Sequence, residues 1–163
     1  MVKYAIDCEM VGSGNRSILA RVSIVNENGM IVLDEYVKPT AQVTDYRTCV
    51  SGIKRGNIQN GREFSTIKQK VQSMINGCIL IGHSLQFDLA ALELSHPEHM
   101  RRDLAKYEPF RKLNNGQPAS LQFLAKQYLG RSIQEGEHDS VQDAKACMDI
   151  YRKVSSEWER LYR

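Results

Sequence analysis

The stretch Tyr4-Ala5-Ile6-Asp7-Cys8-Glu9-Met10-Val11-Gly12 decides how the rest of the chain is read. Apolar residues lead into it, two carboxylates stand two positions apart, and a glycine-containing loop follows. Successive side chains of a β-strand point to opposite faces, so residues i and i+2 share one side. Asp7 and Glu9 therefore project together, while Ile6, Cys8 and Met10 turn the other way, toward a core. Two neighbouring acids repel, and a buried strand holds them only with something positive between them. Divalent cations such as magnesium prefer carboxylate oxygens and meet that need. Acids at a strand end that simply point into water are the bland alternative.

Working outward, Ile18 to Val25 alternates in polarity as a strand does, and Met30 to Val37 pairs back on it across Asn28-Gly29, a two-residue hairpin signal. Gly12 to Arg16 reads as a polar loop and residues 40–62 as a structured loop with short turns. Phe64 to Ile75 carries apolar residues at helical spacing, with Gly77 as its C-terminal stop. Cys78 to Gly82 is the apolar run of a buried central strand, and Ser84 is expected to cap a helix bearing Leu85, Leu89 and Leu92. Met100 to Leu104 suits a short edge strand, Ser120 to Tyr128 a helix, and Ser140 to about Tyr162 a final long helix. A hairpin unit followed by alternating helices and strands predicts an α/β domain with a mixed sheet.

The chain has 163 residues, enough for one domain with a full core, and its 42% hydrophobic and 25% charged content is ordinary for a globular protein. No run approaches the ~18 apolar residues of a membrane span, and no signal-peptide pattern opens the sequence. Cys8, Cys49, Cys78 and Cys147 are far apart with no C-x-x-C pair, which argues against structural zinc and a disulfide scaffold. A net charge of +3 does not by itself mark a polyanion binder.

Two further segments share one spacing: His83-Ser-Leu-Gln-Phe-Asp88 and His138-Asp-Ser-Val-Gln-Asp143. Each spans a loop-to-helix junction and sets its aspartate in the first helical turns, where the helix dipole favours an anion. Ordinary helix capping produces the same pattern. Together with the first strand, however, Asp7, Glu9, Asp88 and Asp143 supply oxygen ligands for two divalent ions and leave a histidine for proton transfer. The chemistry that needs this set is phosphodiester hydrolysis, in which two cations about 4 Å apart stabilise attacking and leaving oxygens. A neutral histidine can take the proton of the incoming water. Spacing alone does not choose between His83 and His138.

Asp7-Cys8-Glu9-Met10-Val11-Gly12 and Leu19-Ala20-Arg21-Val22-Ser23-Ile24-Val25-Asn26 resemble the start of a DEDDh 3′→5′ exonuclease, within the RNA exonuclease four and interferon-stimulated 20-kDa exonuclease subfamily. The likeness continues through Tyr36-Val37-Lys38-Pro39, Thr44-Asp45-Tyr46-Arg47-Thr48, Gly82-His83, Arg102-Asp103 and Glu137-His138, and so covers nearly the whole chain. The resemblance implies a ribonuclease-H-like five-stranded sheet with helices on both faces, and two magnesium or manganese ions. It implies metal ligands at Asp7, Glu9, Asp88 and Asp143, His138 as general base, and His83 on the substrate side. Single-stranded RNA is the implied substrate, with single-stranded DNA a weaker one and a nucleoside monophosphate the product. A monomer in the nucleus or nucleolus, acting in RNA processing such as ribosomal RNA maturation, is the family expectation. Phe87, Leu104 and Asp139 depart from the family pattern without touching a metal ligand, and Phe87 and Asp139 are placed to alter substrate preference or the neighbouring histidine.

On the substrate side, Met10 is expected to pack on the terminal base or sugar, with core packing as its alternative. Arg47 is expected to reach a ribose or phosphate, with a salt bridge to Asp45 as its alternative. Lys54-Arg55 and the cations from Arg101 to Lys112 are a candidate RNA path, or else a solvated face. A catalytically silent RNA-binding adaptor and a ribonuclease-H-like endonuclease are the competing readings. An adaptor has no need of four clustered carboxylates.

Overall fold

The computed structural model describes residues 1–163. Three antiparallel strands open the chain: β1 (Lys3–Ser13), β2 (Arg16–Asn26) and β3 (Ile31–Tyr36). After the short helices α1 (Thr48–Ser51) and α2 (Arg55–Gln59) come α3 (Phe64–Ile75), β4 (Ile79–Gly82) and α4 (Leu85–Ala91). A 3₁₀ turn then leads to β5 (Arg101–Asp103), α5 (Glu108–Lys112), α6 (Leu121–Leu129) and the long α7 (Ser140–Glu159). The sheet order is β3-β2-β1-β4-β5, with β4 parallel to β1 and β5 parallel to β4.

Side-chain alternation sorts the sheet into two faces. Ala5, Val25, Ile79 and Ile81 pack with Leu121, Leu124, Ile150 and Tyr151, beneath α6 and α7. Ile6, Cys8, Val22, Ile24 and Leu80 pack with Ile67, Val71, Leu85 and Leu89, beneath α3 and α4. The expected five-stranded mixed sheet with helices on both faces is therefore what forms. Asp7 and Glu9 stand on the α7 face, so the acid-bearing side of β1 is itself covered.

Several local expectations are corrected. Gly12 to Arg16 is no open loop, because β1 and β2 stay paired to Ser13↔Arg16 and only Gly14-Asn15 turn. The Asn28-Gly29 hairpin exists, but Gly29 alone has positive φ (79°). Instead the Asn26 side chain accepts from the backbone N–H groups of Asn28 and Met30 (both 3.0 Å) and closes a wider turn. Residues 40–62 contain two helices and are stitched to the hairpin tip, where Gly12 N–H donates to the Asp45 carbonyl and Thr44 N–H to the Gly12 carbonyl. A Cβ on Gly12 would lie 3.2 Å from the Arg47 guanidinium and 3.3 Å from the Asp45 carbonyl oxygen, so the loop packs closely against this glycine.

The basic stretch from Arg101 to Lys112 is mostly consumed within the fold. Arg102 is buried, grips Glu159 through two bonds of 2.8 and 2.9 Å, and lies over the Tyr162 ring. Arg101 donates to the His96 carbonyl, Lys106 faces Glu98, and Arg111 donates to the Gly116 carbonyl. Arg101 and Arg102 are thereby engaged within the fold, while Lys106 and Lys112 stay exposed. Arg102 fastens the last helix to the β5 edge.

Candidate active site

The register of the hairpin fixes what each acid faces. Asp7 lies opposite Ser23 and Glu9 opposite Arg21, and the pairing slips by one residue just after Glu9, where Met10 faces Leu19. Such a bulge sharpens the local twist and re-aims side chains. α7 lies across this face, its first turn docked by a 2.7 Å hydrogen bond between the Ser23 and Ser140 hydroxyls. Asp143, one turn into α7, arrives beside the strand acids. One carboxylate oxygen from each of Asp7, Glu9 and Asp143 can be chosen so that all three lie within 4.8 Å of one another.

Asp88 comes from the other side of the strand. It is buried in the first turn of α4, and its Oδ1 accepts the Cys8 backbone N–H at 2.9 Å. It exerts the strongest charge effect on Asp7, ahead of Asp143 and Glu9. Asp7 is thus the acid shared between Asp88 on one hand and the Glu9–Asp143 pair on the other.

The sequence assigned the capping of α4 to Ser84, and the structure corrects this. Ser84 sits in the left-handed region (φ 59°) and its hydroxyl caps nothing. Asp103, at the end of β5, accepts from the N–H groups of Ser84 (2.8 Å), Leu85 (3.0 Å) and Ala105 (3.0 Å). A carboxylate at a helix N-terminus satisfies orphan donors and the dipole at once. Asp103 therefore sets where α4 begins, and with it where Asp88 stands.

The two histidines are held differently. His83 donates from Nε2 to the Ala119 carbonyl at 2.7 Å, which anchors its ring to the segment before α6. His138 is half-buried at the end of the 131–139 loop, and its backbone N–H donates to the Val50 carbonyl at 2.7 Å. Gly52, at φ 70°, leaves room for this contact, since a Cβ there would lie 3.1 Å from the His138 carbonyl oxygen. Asp139 is spent on structure: it caps α7 through Val141 and Gln142 N–H and lies 3.6 Å from Arg21. Met10 is half-buried against the cluster that holds Ile6 and Cys8. Arg47 makes no guanidinium bridge to Asp45; its backbone N–H bonds Asp45, and its guanidinium donates to the Ser17 hydroxyl at 2.8 Å.

Electrostatically the cluster is overloaded with negative charge. Burial, then the Asp143 charge, pushes Glu9 up to about 8, and burial pushes Asp88 up to about 8. Burial and the neighbouring acids raise Asp7 well above the usual carboxylate range, and burial raises Asp143. Arg21 is the cation that opposes this at Asp7 and Glu9, but it is already bound by Asp34 through bonds of 2.9 and 3.0 Å. Glu9 Oε1 and Asp143 Oδ1 are buried and have no donor. Orphaned carboxylate oxygens that converge without a proton donor fit divalent cations, which take oxygen ligands and supply the missing charge.

A family model described as an exonuclease of the RNase T type matches residues 4–151. The chain belongs to this exonuclease family. It is similar to the RNA exonuclease 4 proteins of Mus musculus (51% identity; 95% of this chain, 37% of that protein) and Homo sapiens (48%; 98% and 38%). The Saccharomyces cerevisiae RNA exonuclease 4 is 48% identical over 99% of this chain and 57% of its own length. The chain thus spans 37% to 57% of these relatives. Among solved structures, the Neurospora crassa Pan2 catalytic unit superposes with a TM-score of 0.85 at 27% identity, covering 99% of this chain and 30% of that one. The Saccharomyces cerevisiae Pan2 pseudoubiquitin hydrolase–RNA exonuclease module in complex with A7 RNA gives 0.83 at 31% identity, covering 98% and 29%.

Sequence reasoning missed three contributors. Asp103 and Arg21 lay inside matched motifs but had no assigned task. Gln134, whose side-chain amide donates to Asp143, carried no signal, because a lone glutamine in a loop of unassigned structure looks like solvent-facing chain. All three act through contacts between segments distant in sequence or in a loop whose path is set by tertiary packing.

Proposed function

We propose that this chain is a metal-dependent 3′→5′ exoribonuclease acting on single-stranded RNA, with single-stranded DNA as a weaker substrate. The observation that carries the reading is the pair of buried, donorless oxygens on Glu9 and Asp143 within the three-acid cluster. Asp7, Glu9, Asp88 and Asp143 would hold two magnesium or manganese ions. Bound there, the cations supply charge neutralisation of the scissile phosphate and acidify a water.

The chain's own residues do the rest. Asp7, midway along β1, lies between Asp88 and the Glu9–Asp143 pair, so it would serve as a metal ligand beside either group. His138 takes the proton as the water oxygen bonds to phosphorus; the bond to the 3′-oxygen of the preceding nucleotide breaks, releasing a nucleoside 5′-monophosphate. His83, fixed by the Ala119 carbonyl, braces the substrate side of α4. The exposed part of Met10 and the Arg47 guanidinium are the candidates for base and ribose contacts. Such contacts hold a strand without reading its sequence. The relatives named RNA exonuclease 4 favour RNA as substrate, and family resemblance favours ribosomal RNA maturation in the nucleus or nucleolus by a monomer.

The test is a 5′-labelled single-stranded RNA incubated with Mg²⁺ and each of wild type, Asp7→Ala and His138→Ala. A progressive ladder with wild type, lost in both folded variants, is expected. Internal fragments would indicate an endonuclease, binding without cleavage an adaptor, and wild-type rates in either variant would sink the site assignment.

A further inference from the structure

Asp143 presents two oxygens in different circumstances. Oδ2 accepts from the Gln134 side-chain amide at 3.0 Å, while Oδ1 is buried and has no donor. Gln134 itself has φ 58°, a left-handed conformation that is uncommon for a non-glycine residue. The loop around it is already fixed without this bond, by Ile133 buried under α6 and α7 and by the His138 N–H on the Val50 carbonyl. The left-handed backbone and the amide bond therefore converge on one result, the rotation of the Asp143 carboxylate.

We propose that Gln134 is a positioning residue that occupies one oxygen of Asp143 so that the other faces a divalent cation shared with Asp7 and Glu9. The proposal rests on the metal reading of the acid cluster. A carboxylate free to rotate could offer either oxygen or both; with Oδ2 held by an amide donor, Asp143 binds through a single oxygen of fixed direction. Partners of this kind around metal ligands typically change metal affinity by 10–100-fold when removed.

Mn²⁺ binding to the full chain, measured by titration calorimetry at fixed pH without RNA, tests this directly. Gln134→Met keeps the length and backbone preference of the side chain and deletes the donor. Gln134→Gly deletes the donor and relieves the backbone. Both are expected to bind Mn²⁺ on the order of tenfold more weakly than wild type, with metal-free melting close to wild type and an unchanged KM for RNA at saturating Mn²⁺. If Gln134→Met does not fold, Gln134→Gly carries the same reading. Wild-type Mn²⁺ affinity in the folded variants overturns the proposal, as does a raised KM for RNA with metal binding intact. Asp7→Ala is the reference: if wild type and Asp7→Ala bind Mn²⁺ alike, the metal reading itself has failed, whereas loss in Asp7→Ala alone refutes only the role of Gln134.

Discussion

Replacing Glu9 by glutamine is expected to stabilise the metal-free protein at neutral pH while disabling the site. Glu9 is buried, at 6% exposure, and its carboxyl is pushed up to about 8, chiefly by burial and then by Asp143. In an unfolded chain a glutamate titrates near ~4.3. Between those values the unfolded chain has released a proton that the folded chain still holds, so stability falls as pH rises, by about 1.4 kcal/mol per unit. From about pH 5 to about pH 7 this one group costs about 3 kcal/mol, or roughly 6–12 °C in melting temperature for a domain of this size. The loss starts near the unfolded pKa and levels off once the folded carboxyl ionises. The glutamine of the Glu9→Gln variant has a similar shape and no proton to lose, so this share of the slope vanishes. Calorimetric melts in a chelator across this range would show the two proteins converging at acid pH and separating toward neutral, with the variant higher. Excess Mg²⁺ or Mn²⁺ should narrow or invert the gap, because a ligand that binds only the folded state stabilises it and wild type offers the better site. Parallel curves, or wild type gaining stability between acid and neutral pH in chelator, would refute the electrostatic account.

Asp103→Ala removes the acceptor of three backbone N–H groups and is expected to cost about 2–3 kcal/mol in urea unfolding, with turnover of the folded variant also reduced because Asp88 loses its fixed helix start. Unchanged turnover would show that Asp88 is placed without it. Arg102→Ala leaves Glu159 with only the Tyr151 hydroxyl as donor and should lower stability by about 3 kcal/mol, yet leave turnover per folded molecule unaltered; a specific loss of RNA affinity would return Arg102 to the substrate path. Phe87 is 61% exposed beside Asp88, so Phe87→Asn should shift stability by less than about 0.5 kcal/mol, and a change in relative kcat/KM on RNA and DNA is where its effect would appear.

Much of this architecture could be read from local pattern. The i, i+2 acids on a strand, the apolar run at Ile79–Gly82 and the helical spacing of Phe64–Ile75 each follow from side-chain geometry within one element. The errors arose where a remote residue took over a local task. Ser84 looked like a helix cap because sequence shows only neighbours, while Asp103, brought in by β5, supplied the acceptor. Arg102 looked available because its partner Glu159 comes to it only in the fold. Asp7, Glu9, Asp88 and Asp143 could be listed together from sequence because the family resemblance names residue types as well as positions. The grouping within that set, three acids together with Asp88 on the far side of Asp7, depends on how α7 and α4 cross β1.

The placement of Asp143 on α7 also bears on how the chain is made. Ribosomes deliver β1 well before α7, and the three-acid cluster needs both, so the strand must wait for that helix before its acids have a common partner. Until then Asp7 and Glu9 have Asp88 near them but not Asp143, on a half-covered sheet. A polypeptide whose synthesis stops short of α7 already carries Asp7, Glu9 and Asp88 but lacks Asp143, and so cannot close the three-acid cluster.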